Sequence, residues 1–500
     1  MHAKKQPHIG NLAITAILIC LLSTFLSSCT GPGQLPDKNG GATAFHTAAQ
    51  THPPEDASPS SADSDASFLP NAASPTPSSP SEPESTPPRT AFPSAVPGTP
   101  RHCPTEQIVH SGSGSGTPPG AAATPAGSSA GNTTSAPKPT ASANPHQEPS
   151  PIKDSREYLS RTLLPDEKKA YGQIRDAMLN METVISAELS AQSPEALRDK
   201  VTKVVDCVRY DYPEIFWYTN ELRWRYQPDT LTVTSIQLEL TAAEDILTAQ
   251  KEQIDRMINE ILQSIPSGAD EYEVSKILYE WIILHTDYAS ASISDSCYTA
   301  AGVFLDGKAV CSGYAKAYQL LMLRAGIPCL YVTGITEKDS VGHAWNISCI
   351  SGKWYHTDVT WGDPVFSQGG YEDFICYDYL NVTEADIRRS RSITETLYPL
   401  PACTSSESNY FVKEERFFSA YHKASAEKAI GAALLEAAAV RAPYIAFRFA
   451  DAAAYQQARA ELNLYTIAEQ AGPLPNPIQS YAVITGSELY TILYRIQYKG

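Results

Sequence analysis

Three short stretches hold residue types that can do covalent chemistry together. The first is Gly307-Lys-Ala-Val-Cys-Ser-Gly-Tyr-Ala-Lys316, which carries a thiol at Cys311. Beyond it Ala315, Tyr318, Leu321, Met322 and Ala325 recur at the spacing of one helix face, and Gly326 and Pro328 end the pattern. Cys311 is therefore predicted at a helix N-terminus, where unpaired N–H groups and the positive end of the helix dipole favour a thiolate. Gly313 removes a side chain where a neighbouring sheet can approach. The second stretch is Gly342-His-Ala-Trp-Asn-Ile347 and the third is Trp354-Tyr-His-Thr-Asp-Val-Thr-Trp-Gly-Asp363. Both alternate like strands, with Ser351-Gly352 between them as a two-residue hairpin turn. That turn pairs Ile350 with Lys353 and sets His343 opposite Thr360, so His343 and Asp358 become diagonal neighbours on one sheet face. A carboxylate that orients an imidazole that serves a thiol is a nucleophile–base–orienter set. On residue types alone, His356 also falls on the Asp358 face and competes as the base, and Asp363 competes as the orienter. A lone Cys is more often a small buried hydrophobe than a nucleophile.

The elements that must hold these residues lie in the last two thirds of the chain. Apolar residues from Leu164 to Leu189 have helical spacing, and a second helix is predicted from the Ser193 cap and Pro194 toward Val208. The aromatic block Tyr212–Tyr218 reads as core, and the period-two stretches at Leu222–Tyr226 and Leu231–Leu240 read as a hairpin. Thr241 and Glu244 have the spacing of a capping box opening a helix to about Ile265, and Val274–His285 reads as an apolar helix. After about Asn409 helices are predicted near Ser425–Val440 and Ala452–Leu462, followed by strands at Tyr481–Thr485 and Leu489–Tyr498 around a turn at Gly486-Ser487. No chemistry is legible in that last part, which reads as an α+β accessory domain.

The first third has a different composition. Lys4-Lys5, an apolar run from Leu12 to Leu26 and small residues before Cys29 have the layout of a secretory leader, with a run short for a membrane span. From Thr30 to about Pro151 the chain is Pro, Ser, Thr, Ala and Gly with little to bury, so it is expected to be a disordered, extended linker. The formal net charge of −17 argues against nucleic acid as a partner, and no Cys/His cluster has zinc spacing among the ten Cys. A disulfide among Cys207, Cys297, Cys329, Cys349, Cys376 and Cys403 is open on composition.

The order Cys, His, Asp, with a helix and then a hairpin, resembles the transglutaminase-like superfamily. The resemblance spans about Glu271 to Ile387, through Ala309-Val-Cys-Ser-Gly-Tyr-Ala, Arg324-Ala-Gly-Ile-Pro-Cys-Leu-Tyr-Val-Thr-Gly334, Gly342-His-Ala-Trp and Trp354–Asp358. It implies an α+β fold with a papain-like core, a Cys-bearing helix packed on an antiparallel sheet, flanked by α+β accessory regions. It implies Cys311 as nucleophile, His343 rather than His356 as base and Asp358 as orienter, with Tyr298 and the Cys311 N–H as oxyanion candidates. No metal and no cofactor are implied. The expected partner is a peptide or protein amide, presented in a cell wall or at a surface, and the expected reaction is acyl transfer through a thioester. A cysteine peptidase or amidase and a non-catalytic surface-binding protein are the alternatives. Trp345, Trp354 and Trp361 are candidates to wall the cleft. Leu26-Ser-Ser-Cys29 resembles a bacterial lipobox, which implies lipid attachment at Cys29 and a place on the extracellular face of the cell membrane. The expected layout is a leader over 1–28, an anchored linker over 29–153, an N-terminal α+β region over 154–268, a catalytic domain over 269–395 and an accessory domain over 396–500. Cys29→Ala is expected to move the protein from the membrane to the soluble fraction. Fractionation that leaves it with the membrane would favour a spanning leader.

Overall fold

The computed structural model describes residues 156, 158–227, 229–289, 294–338, 340–364, 374–394 and 399–500, with the backbone of Gln107–Ser111. All of these belong to one compact unit, Glu82–Gly500. Cys29 and the leader lie outside the described residues, as does the Pro/Ser/Thr-rich stretch apart from Gln107–Ser111. Those five residues form a strand, β1, antiparallel to the C-terminal sheet from Gln107 beside Ile484 to Ser111 beside Ser480. Its Ile108-Val109 pair gives it β propensity that the surrounding Pro, Ser and Gly lack.

The next layer begins with α1 (Pro165–Leu179), which has Pro in its first turn. The predicted helix to Leu189 stops short because Met181 takes a left-handed backbone, φ 59°, and the chain turns into β2 (Val184–Ile185). Helix α2 (Pro194–Asp211) opens as read, with Ser193 Oγ accepting the Ala196 N–H at 3.2 Å. Its Val201, Val204, Val205 and Val208 are buried. The aromatic block is core: Trp217 is fully buried and donates its indole N–H to the Met178 carbonyl at 2.9 Å. β3 (Tyr218–Gln227) and β4 (Thr232–Leu240) form the hairpin, in the sheet order β2-β4-β3. Thr241 does not cap α3 (Glu244–Ser264). Its N–H and hydroxyl both go to the Trp217 carbonyl, which prolongs the hairpin ladder, and the helix starts after Ala243.

Helix α4 (Glu271–His285) is closed by a reciprocal cap in which Asp270 accepts the Glu273 N–H at 2.8 Å and Glu273 accepts the Asp270 N–H at 2.9 Å. β5 (Asp287–Tyr288) and β6 (Lys308–Ala309) pair in parallel, and between them lie a 3₁₀ turn at Asp295–Tyr298 and a π turn at Gly302–Asp306. Then comes α5 (Cys311–Arg324), ended by Gly326 at φ 82°. β7 (Cys329–Thr336), β8 (Gly342–Ile350) and β9 (Lys353–Thr357) follow, then the short helices α6 (Val359–Gly362) and α7 (Glu384–Ile387), and β10 (Arg391–Ile393). Among the described residues these four strands form an antiparallel sheet in the order β10-β7-β8-β9, on which α5 packs. The Asn346 amide, fully buried, ties helix to sheet by donating to the Ala315 carbonyl at 3.0 Å and the Leu330 carbonyl at 3.2 Å.

The C-terminal layer holds α8 (Tyr410–Lys413), β11 (Phe417–Phe418), α9 (Lys423–Val440), β12 (Tyr444–Phe449), α10 (Ala452–Glu461), α11 (Leu464–Ala471), β13 (Ile478–Gly486) and β14 (Thr491–Tyr498). Its sheet runs β1-β13-β14-β12-β11. Neither β12 nor α11 is anticipated by the sequence reading, and the β13–β14 turn extends to Tyr490, which takes φ 59°.

Gly313 illustrates how tightly α5 is seated. A Cβ there would lie 2.4 Å from the Cys297 carbonyl oxygen and 2.8 Å from Ala309 Cβ, so what approaches is the 3₁₀ turn before α5 together with strand β6. Gly313→Ala is expected to cost roughly 1–3 kcal/mol through overpacking. A denaturation midpoint equal to that of the natural chain would show that the turn yields freely.

Candidate active site

Cys311 is the first residue of α5, and no side chain caps that helix end. At this end the Val310 N–H donates to the Cys297 carbonyl at 3.0 Å and the Gly313 N–H to the Val310 carbonyl at 2.9 Å, and the positive end of the helix dipole lies beside the sulfur. The thiol is 2% exposed and packs with Ala289, Cys297, Val310, Ala315, Tyr331 and Ala344, with Tyr210, Tyr288 and Tyr298 at the edge.

The hairpin delivers the other two residues. Ser351 and Gly352 take φ 52° and 78°, positive at both turn positions, and Ile350 pairs with Lys353 as the two-residue turn requires. The ladder runs only to Asn346 opposite Thr357. Asp358 then leaves the sheet as the N-cap of α6, with Oδ1 accepting the Trp361 N–H at 3.1 Å and its own N–H donating to the Tyr379 carbonyl at 3.0 Å. The expected facing of His343 and Thr360 as strand partners does not occur, because α6 begins at Val359. The diagonal relation survives: His343 Nε2 and Asp358 Oδ2 are 2.7 Å apart. The Cys311 side chain is close enough to the His343 ring to help raise its pKa. Cys311, His343 and Asp358 are thus brought together in one buried site, with His343 4% and Asp358 0% exposed.

The charges are set by burial and by one another. Burial alone would lower the His343 pKa, but the Asp358 charge and hydrogen bond, helped by Cys311, override it and raise it to about 9. Burial would raise the Asp358 pKa, yet the His343 and Arg391 charges and the hydrogen bonds from His343 and the Trp361 N–H hold it well below the usual carboxylate range. The competitors go elsewhere. His356 Nδ1 accepts the Trp345 indole N–H at 3.0 Å, and burial, with Arg388 and Arg391, depresses its pKa to about 3, so it is neutral. Asp363 accepts the Tyr314 hydroxyl at 2.6 Å.

Tyr298 lies at the edge of the Cys311 cluster, its pKa raised by burial and then by Cys297 and Cys311. Trp345 stacks on His343 at 5.9 Å and Trp361 meets it edge-on at 6.4 Å, whereas Trp354 packs toward Tyr158. All seven described cysteines are free thiols.

Two groups at the site escape the sequence reading. Tyr210 comes from α2, about a hundred positions before Cys311, and lies against Tyr331 with ring centroids 4.8 Å apart. Arg391 lies 2.7 Å from Asp358 and is 0% exposed. It sits in the run Arg388-Arg389-Ser390-Arg391, where no spacing separates it from its half-exposed neighbour Arg388.

With this geometry in hand, the chain can be compared with known proteins. Residues 259–359 match the family model of the transglutaminase-like superfamily. Kyphoscoliosis peptidase of Homo sapiens is 26% identical over 155 residues, which is 27% of this chain and 23% of that protein. Its Mus musculus counterpart is 25% identical over 152 residues, with the same shares. The chain therefore spans less than a quarter of the length of these relatives. A solved structure described as a TGase shares 17% identity over 30% of this chain and 46% of that one, at a TM-score of 0.21. The chain is a mixed helix-and-sheet protein with a transglutaminase-like core.

The His343 shift carries a stability consequence. Its folded pKa of about 9 exceeds the ordinary 6.5, so its protonation stabilises the fold fully below about pH 6.5, and that contribution is lost as pH rises through about 9. His343→Gln lacks this contribution. The melting temperatures of the natural chain and His343→Gln are expected to converge between about pH 6.5 and 10. A gap that stays constant over that range would mean His343 does not titrate there.

Proposed function

We propose that the protein is a thiol-dependent acyl-transfer enzyme acting on peptide or protein amides, with Cys311 as nucleophile, His343 as base and acid, and Asp358 as orienter. The observation that carries this reading is the buried His343–Asp358 hydrogen bond of 2.7 Å, with Cys311 at a helix N-terminus near enough to the ring to act on its charge. In the first half-reaction the Cys311 thiolate attacks a carboxamide carbonyl and a C–S bond forms. The developing oxyanion faces the Cys311 N–H and the Tyr298 side as candidate donors. The imidazolium of His343 gives its proton to the leaving nitrogen as the C–N bond breaks, releasing ammonia or an amine and leaving a thioester. In the second half-reaction an amine or water attacks the thioester, His343 takes up its proton, and the C–S bond breaks to return the thiolate. Asp358 keeps the ring oriented and stabilises the imidazolium throughout.

The acceptor decides between transfer and hydrolysis. The triad is nearly dry, and Trp345, Trp361 and Tyr210 add aromatic surface around it, which favours an amine that brings its own apolar stem over bulk water. Hydrolysis is the second reading, favoured by the likeness to relatives named as peptidases. We place the enzyme outside the cell, held to the membrane by a lipid on Cys29 and reaching its substrates on a Pro/Ser/Thr-rich linker, because the leader layout and linker composition fit that arrangement.

The test is to incubate the full chain with a glutamine-bearing protein and a labelled primary amine. Incorporation is expected, and Cys311→Ala and His343→Ala should each lower it by about 1,000-fold or more. Ammonia or peptide release without incorporation would turn the reading to a hydrolase. Surface binding that survives both substitutions, with no turnover on any amide offered, would overturn the enzyme reading.

A further inference from the structure

A continuous run of side chains leads from the triad carboxylate to the C-terminal layer. Asp358 Oδ2, already 2.7 Å from His343 Nε2, accepts from Arg391 Nε at 2.9 Å and lies 2.7 Å from Arg391 Nη2. The Arg391 guanidinium lies between two rings, 4.0 Å from the Tyr379 centroid and 4.3 Å from that of Trp361. The two rings meet edge-on at 5.5 Å. The Tyr379 hydroxyl donates to Glu488 Oε2 at 2.9 Å, and Ser390 Oγ, 3.2 Å from that hydroxyl, accepts from Arg391 Nη1 at 2.5 Å. Glu488 belongs to the turn between β13 and β14. Around it the same two parts are fastened again: Arg389 donates to the Glu488 carbonyl at 3.3 Å and lies 4.5 Å over Tyr490, and Thr491 donates to Asp378 at 2.8 Å. Arg448 of β12 donates to Asp386 at 2.5 Å.

We propose that Arg391 is the positioning residue of the triad and that the β13–β14 turn holds it in place through Glu488 and Tyr379, making the C-terminal layer a structural part of the active site. This rests on the triad reading of Cys311, His343 and Asp358. The physical reason lies in the catalytic cycle. When His343 carries its proton, Asp358 has a cation beside it. When His343 gives the proton away, Asp358 would be a lone carboxylate with no exposure to water, which is costly. Arg391 cannot lose its charge, so the carboxylate stays compensated and in place while the imidazole is neutral. Removing that cation should tighten His343's hold on its proton, because release would then strand an uncompensated anion. The planar, stacked fork suits the slot between Tyr379 and Trp361 in a way an ammonium does not.

The test follows the His343 ring directly. The charged and titratable groups that face it are Cys311 on α5, Asp358 at the start of α6, Arg391 on β10, and the neutral His356 of β9 behind Trp345. The full chain is labelled with ¹³C-histidine, and the His343 resonance is assigned by its loss in His343→Gln. In Arg391→Met the titration midpoint is expected to rise by roughly one pH unit or more, the size of effect one close charge exerts. A residue that only supports the fold would lower the melting temperature and leave the midpoint where it was. Should Arg391→Met fail to fold, Arg391→Lys keeps a cation but loses the fork, and the midpoint is expected to rise by less. An unmoved midpoint in whichever variant folds overturns the positioning role. Tyr379→Phe keeps the stacking and changes no charge; a smaller rise is expected there, and none would overturn the link to the C-terminal layer. Iodoacetamide alkylation of Cys311, located by mass mapping, tests the triad separately. If His343→Gln leaves its rate unchanged, the triad reading itself fails. If His343→Gln slows it while Arg391→Met leaves the midpoint unmoved, the triad stands and only the inference falls.

Discussion

A carboxylate wholly removed from water is the constraint around which this site is built. Asp358 reaches that state because both carboxylate oxygens are met by donors, His343 and Arg391 on one and the Trp361 N–H on the other, while its own backbone N–H is accepted by the Tyr379 carbonyl. Desolvating a charge is among the more expensive things a fold does, and compensation by a single titratable partner would be intermittent. The arrangement here pairs one cation that comes and goes, His343, with one that does not, Arg391. The short helix α6 belongs to the same solution. By leaving the ladder after Thr357, the chain turns Asp358 into a helix cap and gains the Trp361 N–H, a donor that a continuing strand would have spent on its neighbour.

Cys311 is positioned by a different kind of force. Beside it lie the start of its own helix and the ring of His343. Its place is fixed by steric closeness: Gly313 lets the 297–299 turn lie against the first turn of α5, and Asn346 bonds the helix backbone to β7. Displacing either would move the sulfur relative to an imidazole that the hairpin holds independently. Two elements, each anchored by its own contacts, therefore bring Cys311 and His343 together, so the site depends on packing far from the thiol and the ring.

These differences explain what could be read from the sequence. Cys311, His343 and Asp358 were legible because local rules act on them: a helix start, a two-residue turn with positive φ at Ser351 and Gly352, and alternation along a strand. The hairpin parity put His343 and Asp358 on one face even though the strand ended before the pair was reached. Arg391 was not legible, since its burial comes from a β10–β7 pairing more than fifty positions apart along the chain, and sequence alone gives no reason to bury this Arg and expose Arg388. Tyr210 was hidden for the same reason. Thr241 shows the converse, a local capping pattern overridden when the hairpin ladder claimed its N–H and hydroxyl first.

The residues that complete the site also bear on how far it reaches along the chain. The family match stops at residue 359, yet Tyr379, Arg391 and Glu488 lie beyond it and Tyr210 lies before it. On the N-terminal side the Gln319 amide of α5 donates to the Tyr210 carbonyl of α2 at 2.8 Å. The charges of the two helices also act on one another: burial and then Arg209 pull the Lys316 pKa down to about 7, while burial lifts that of Asp206 to about 6 against the two cations. On the C-terminal side the join is the Tyr379–Glu488 bond and the fastenings beside it. The cation beside Asp358 comes from β10 of the central sheet, and its slot is closed by Tyr379, which bonds Glu488 of the β13–β14 turn. The proposed site therefore takes in residues beyond the matched segment, and its geometry depends on layers packed on both sides of that segment.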